Sequence, residues 1–319
     1  MRHRWLRTGL AMAALALAVA GCGDDDDDPA DPAAGDADDD SAFPVTIEAA
    51  NGLVTVDAQP AAIVSMSATA TEMLFAIGAG DQVVAVDSTS DYPTDVPTTD
   101  LSAFEPNVEA IAGYEPDLVV ASDDINDLVA GLEALDIPVL LAPVAAVIDD
   151  TYTQIEQLGA ATGHVGEAAE LVGQMQTELD EIVADLPELT EPLTYYHELD
   201  DTFFSVTSAT FIGQIYDLAG LRNIADEAEG GVDALYPQLS AEFIIAADPD
   251  MIFLADAECC GITADALAQR PGWADLTALQ NGGGGVVELD EDISSRWGPR
   301  IVDFLQTISD TVNQVSVAG

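Results

Sequence analysis

The chain has 319 residues, 49% of them apolar, enough for two domains with cores of their own. Its 59 acidic residues face only 7 basic ones, for a formal net charge of −52, and all seven are Arg. So negative a chain repels phosphate backbones, which excludes nucleic acid as a partner, and without Lys it cannot build a Walker-type nucleotide loop.

Residues 1–22 read as an export signal. Arg2, Arg4 and Arg7 form its positive start, and residues 10–20 are an apolar run too short for a good membrane span. Val19-Ala20-Gly21-Cys22 resembles a bacterial lipobox, in which Cys22 is lipidated and becomes the mature N-terminus. The expectation is an extracytoplasmic protein held to the outer face of the cell membrane by lipid on Cys22. Residues 23–42 carry two Asp runs among Ala, Gly and Pro. They cannot form a core, and like charges keep them extended, so they read as a disordered acidic tether rather than a calcium site. The acidity as a whole suits a protein kept soluble in high salt, or a generally acidic secreted one.

The first lobe spans residues 43–164. Residues 61–65 are a short apolar strand that runs into a helix over 66–77, closed by Gly78. Residues 83–86, 118–121 and 139–141 read as further strands, with a helix over about 125–135. Strands alternating with helices imply a mostly parallel sheet, with ligands beyond the carboxyl ends of its strands. That places the site at loops 65–67, 88–92, 102–104 and 122–124.

Residues 165–187 form the helix between lobes. Ala168, Val172, Met175, Leu179, Ile182 and Leu186 repeat in steps of four and three, one apolar stripe on a helix that Pro187 ends. The same pattern lies on both sides of it. Glu109 stands seven residues ahead of Pro116-Asp117 and an apolar run; Glu242 stands seven residues ahead of Pro249-Asp250 and another. Each reads as a short helix, a turn and a core strand, one structural unit used twice. The fold class is therefore α/β: two α/β lobes with mostly parallel sheets, joined by one long helix, with a ligand cleft between them.

The second lobe spans 188–319, with strands at 193–197, 251–254 and 286–289. Helices are expected over 208–220 and from about 299 to 312. The glycine run at 282–285 reads as a flexible hairpin.

Residues 62–81, the Asp91-Tyr92-Pro93 turn, Asn107-Val108-Glu109, Pro116-Asp117-Leu118-Val119 and Arg296-Trp297-Gly298-Pro299-Arg300 resemble the substrate-binding proteins of ABC importers for cobalamin and ferric siderophores. The resemblance runs from about 62 to 312 with its motifs in order. It implies a periplasmic-binding-protein-like bilobal fold with a rigid interlobe helix. It also implies delivery to an ABC permease with its ATPase, docked through one Glu on each lobe, here Glu109 and Glu242. Such a protein is a monomer and holds no resident cofactor, the metal chelate being cargo.

A cleft of this kind uses aromatic faces and a few polar groups. The candidates are Ser67, Tyr92, Phe104, Phe203, Tyr236 and Trp297, with Arg296 as polar anchor; Arg300 is a candidate for holding the loop through a carboxylate. So few basic residues favour a neutral or cationic ligand, a cobalamin-type corrinoid before a ferric siderophore. A heme receptor of the same importer class is the alternative, with Tyr92, Tyr236 or His197 as axial ligands. An extracytoplasmic lipid-anchored enzyme centred on His197 is another, though no nucleophile-elbow sequence supports it. His164 and His197 stand too far apart for a multi-His metal site. Cys259 and Cys260 leave three readings open: a disulfide between neighbours, strained by their closeness; two free thiols; or a metal or ligand thiolate.

Overall fold

The computed structural model describes residues 43–280 and 284–318. The expected export signal, Cys22, the acidic tether, and Gly282 and Gly283 of the glycine run lie outside those residues. The described chain opens with a hairpin absent from the sequence reading, β1 (Val45–Ala49) against β2 (Gly52–Val56), antiparallel. Its alternation is strict: Ile47, Ala49, Val54 and Val56 are buried while their neighbours face outward. Asn51-Gly52 stands at the turn, a hairpin signal, with Gly52 at φ +104.

The first sheet holds β3 (Ile63–Met66), β4 (Val83–Val86), β5 (Leu118–Ala121) and β6 (Val139–Leu141), parallel throughout in the order β4-β3-β5-β6. Between them run α1 (Ala68–Ala76), α2 (Val108–Ala112) and α3 (Leu128–Glu133). β3 and β5 are buried at every position, as strands covered on both faces must be; hence the unbroken apolar run of β5 and the single polar residue of β3, Ser65.

Two antiparallel helices follow, α4 (Ile148–Thr162) and α5 (Val165–Ala184). Only α5 was expected. It buries Ala168, Val172, Met175 and Leu179, and each fully buried Met or Leu is worth about 1.5–3 kcal/mol. It stops at Ala184 rather than at Pro187, because the residue before a proline is pushed out of helical geometry. The turn between the pair is tight: a Cβ on Gly159 would come within 2.4 Å of Ala168 Cβ, so only glycine lets α4 approach α5 this closely.

The second sheet holds β7 (Thr194–Glu198), β8 (Arg222–Asn223), β9 (Met251–Leu254) and β10 (Val286–Glu288), again parallel, in the order β10-β9-β7-β8. Its helices are α6 (Phe211–Leu218), α7 (Ala241–Ala247), α8 (Ala257–Cys260), α9 (Ala264–Ala268), α10 (Thr277–Gln280), α11 (Glu291–Ser295) and α12 (Ile301–Ala318). The last extends beyond its expected end near 312. Numbered within each lobe, both sheets run second-first-third-fourth. The repeated Pro-Asp has one use in both. Asp117 accepts from the N–H groups of Ala61 and Ala62 (2.9 and 3.1 Å), and Asp250 from the N–H and hydroxyl of Thr194 (both 2.8 Å). Each carboxylate ties the start of a third strand to the start of the first.

The lobes share a core. One buried apolar cluster includes Ile63, Leu74 and Leu158 from the first half, Met175 from α5, and Tyr216, Phe253 and Phe304 from the second. Two further clusters fill the outer face of each sheet. Separating the lobes would strip α4, α5 and α12 of their packing, so the joint is stiff.

Candidate functional site

The strand exits of both sheets carry several of the exposed apolar side chains. After β4, the Asp87 carboxylate takes the hydroxyl of Ser90 (2.6 Å) and the N–H of Thr89 (3.1 Å). Ser90, Thr71 and Ser65 continue as a buried chain of hydroxyls 2.9 Å apart. This lattice fixes the loop and leaves Tyr92 projecting, 45% exposed. Phe104 stands out further, at 73%. Ser67 does not face solvent; its hydroxyl caps α1 by accepting from Ala70 N–H at 3.2 Å.

In the second lobe the loop after β7 separates the two Phe residues. Asp200 accepts from the N–H and hydroxyl of Thr202 (2.9 and 2.6 Å). Phe203, at φ +69, turns inward to stack on Trp273 at 5.8 Å, and Phe204 takes the exposed position. Beside it runs the strap 231–238. Leu235 sits at φ +51 and ψ −61, and Tyr236 N–H donates to Ala234 O at 2.6 Å. That is a γ-turn of the strained kind, rare for a side chain other than glycine. Thr207 N–H to Leu235 O (2.8 Å) and Ser205 N–H to Pro237 O (2.9 Å) hold it. The outcome is an exposed shelf of Phe204, Val232, Leu235 and Tyr236, the sort of apolar surface that marks a binding face.

The lobes meet along a polar seam. Glu72, 2% exposed in the middle of α1, receives Arg300 Nε on one oxygen (2.9 Å). Its other oxygen receives Arg300 Nη2 (2.6 Å) and Arg296 Nη1 (2.8 Å). Arg296 also meets Asp91 (3.0 Å), Asp292 (2.5 Å) and the Thr89 carbonyl (3.1 Å). Its donors are turned to protein, so the structure places it in the seam joining the lobes. Trp297 belongs there too: its Nε1 donates to Gln154 Oε1 on α4 (2.9 Å), and its carbonyl accepts from Thr151 (2.9 Å). Arg300 lies 4.3 Å above the Tyr92 ring, a cation–π contact. Sequence reasoning named the arginines and missed their hub; a single Glu inside the apolar α1 was the available signal.

At the exits of β7 and β9 lies a second buried cluster. Glu198, fully buried, is clamped by Arg270 through two bonds of 2.6 Å, and the guanidinium lies over Phe203 and Trp273. Asp256 is 1% exposed, and neither of its carboxylate oxygens has a hydrogen-bond partner. Burial, then the charge of Glu198, pushes it up to about 6. A carboxyl raised in the fold adds stability while protonated. That contribution is complete below its unfolded value near 4 and is lost as pH climbs through about 6. Asp256→Asn should therefore stabilise the protein at pH 7 by on the order of 2 kcal/mol and flatten the difference between pH 4 and 7. Urea melts of both proteins across that range decide it; a variant less stable at pH 7 would contradict the reading. His197 is fully buried, with Nδ1 2.8 Å from Tyr216 Oη, and burial lowers it to about 3. It is a neutral core histidine, inaccessible to a ligand.

Glu109 and Glu242 are both exposed at the second position of short helices. Asn107 accepts from Ala110 N–H (3.0 Å) and Ser240 from Phe243 N–H (3.2 Å), the same cap in each lobe. Cys259 and Cys260 are joined as a disulfide between neighbours. Among the described residues, no group of three or more His, Cys, Asp or Glu is arranged to hold a metal ion, and no helix is long and apolar enough to cross a membrane.

Residues 63–292 match the family model described as "Periplasmic binding protein". The chain is 30% identical to the uncharacterized ABC transporter substrate-binding lipoprotein YvrC of Bacillus subtilis, over 85% of this chain and 86% of that one. It is also 30% identical to a cobalamin-binding protein of Halobacterium salinarum, over 86% of this chain and 76% of that one. Among solved structures, the periplasmic vitamin B12 binding protein BtuF of Vibrio cholerae superposes with a TM-score of 0.62 at 25% identity, covering 82% of this chain and 98% of that one.

Proposed function

The chain belongs to the periplasmic binding protein family, and from that premise we propose that it is the solute-binding component of an ABC importer, capturing a cobalamin-type corrinoid and delivering it to the membrane permease and its ATPase. Tyr92 and Phe104 on one lobe, with Phe204, Leu235 and Tyr236 on the other, offer apolar faces to the ligand. Seam residues Glu72, Arg296 and Trp297 hold the faces at a set separation. Lipid on Cys22 keeps the protein, as a monomer, at the outer face of the cell membrane.

One observation carries the choice of ligand. Three of the four Arg among the described residues are held by buried carboxylates, Arg270 by Glu198 and both Arg296 and Arg300 by Glu72, and the fourth, Arg222, stands exposed at the start of β8, away from the strand exits. An anionic catecholate chelate would need cationic groups to replace its hydration, and it would enter the field of a protein at −52. A corrinoid asks for apolar faces and neutral hydrogen bonds. Calorimetric titration with cyanocobalamin, ferrioxamine and hemin should give tight one-to-one heat with the corrinoid alone. Heat with ferrioxamine or hemin alone would keep the importer and overturn the ligand; silence with all three would overturn the reading.

A further inference from the structure

Cysteine is among the residue types most often buried, yet Cys259 and Cys260 are both exposed. They form the last two residues of α8, a four-residue helix whose cap position, Asp256, makes no side-chain cap bond and buries its carboxylate instead. A single turn without such a cap does not hold itself together in water. What closes this one is the backbone bond from Cys260 N–H to Asp256 O (3.2 Å), the reversal at Gly261 (φ +68), and the disulfide linking the neighbours. The pair is thus a small covalent ring on an exposed corner, held from beneath by Ala257 and Ile262, which pack on the core of the second lobe.

Its place in the fold is specific. β9 is an inner strand, between β10 and β7, so its exit lies between theirs. The β7 exit carries Phe203 and Phe204. The β10 exit carries α11, against which α8 packs, and then Arg296, which reaches Glu72 on the other lobe. The ring therefore occupies the middle of the second lobe's strand exits, flanked by the aromatic shelf on one side and the seam on the other. We propose that the Cys259–Cys260 disulfide is a ligand-contact plate, a rigid polarisable surface that takes an apolar face of the bound organic metal chelate. This rests on the solute-binding function proposed above. No bond changes on binding; the disulfide contributes by being apolar and already ordered, so little freedom is lost when ligand arrives.

The test uses the full-length protein isolated without reductant and the same three chelates. Intact mass after alkylation should show these two sulfurs labelled only once the protein has been reduced. The Cys259→Ser/Cys260→Ser protein should melt as the wild type does and bind the chelate that the wild type binds at least about tenfold more weakly. If the Ser pair lowers the melting point, wild-type protein reduced with a phosphine and titrated in the same way replaces it, with the same expected loss. Equal affinity in the oxidised protein and in the variant or reduced protein would overturn the plate while leaving the transport function standing, as would labelling of both sulfurs without reduction. A wild type that binds none of the three chelates would remove the function and the plate together.

Discussion

Glu72→Ala should be the most damaging single substitution in the seam, costing about 3–5 kcal/mol of stability, because it strands buried arginines without their shared partner. The side chains of Arg296 and Arg300 are only 10% and 13% exposed, so water cannot replace the lost carboxylate. Asp91 and Asp292 remain bonded to Arg296, but Arg300 loses every direct carboxylate bond it makes and keeps the face of Tyr92 and the more distant charges of Asp290 and Asp292. Arg222→Ala is the matching control: its pair with Glu227 is 3.9 Å long, with both side chains more than 60% exposed, and such pairs contribute close to nothing. A functional loss should accompany the structural one. Glu72 belongs to the first lobe and both arginines to the last stretch of the second, so the triad sets the distance between the apolar faces. Ligand affinity should fall even at temperatures where the Ala variant is folded. Glu72→Gln, which keeps shape and one acceptor, should fall between Ala and wild type in both melting point and affinity. A Glu72→Ala protein that melts and binds as wild type would show that the shared core alone holds the lobes.

What could be read from the chain and what could not divide along physical lines. The inner strands β3, β5 and β9 announced themselves because burial on both faces leaves them almost wholly apolar, with Ser65 the one exception. The repeated Glu, Pro and Asp were visible as spacing, and the structure explains the Asp as a tie between strand starts. α4 was hidden because its inward positions include Thr151, Gln154 and Thr162, whose polar atoms are satisfied within the fold by Trp297, Pro143 and Leu158. A stripe drawn from apolar residues alone passes over such a helix. The β1–β2 hairpin was readable from Asn51-Gly52 and its alternation, and was overlooked. Phe203 and Phe204 are chemically identical; which one faces solvent depends on the positive φ of Phe203 and on Trp273, seventy residues away. Arg296 looked like a ligand anchor because it is one of few cations near the cleft. Its saturation by Glu72, Asp91 and Asp292 is a three-dimensional fact that no local pattern encodes. Asp256 lay outside any motif for the same reason.

Changing Glu109 and Glu242 together to Ala should abolish uptake while leaving ligand affinity and stability near wild type. Both side chains are exposed and stand in the first turn of a capped helix, where a carboxylate gains about 0.3–1 kcal/mol from the helix dipole. Their removal therefore spares the fold. Their value lies in their arrangement: one acid on each lobe, at equivalent places in two sheets of the same strand order, presents a two-fold-like pair of charges. A permease with related halves can meet that pair with two cations. Close charge pairs across an interface carry coupling of about 1.5–7 kcal/mol, and losing even the lower figure weakens docking at least tenfold. Each single variant should retain partial transport, because one lobe still docks; in a chain this acidic, any other pair of surface acids should change little. Transport of labelled cobalamin into cells carrying the cognate importer, beside calorimetric Kd values for the same proteins, separates docking from binding. Uptake that falls only in step with affinity would place these two acids in the ligand site. Unchanged uptake would leave them as ordinary members of a strongly acidic surface.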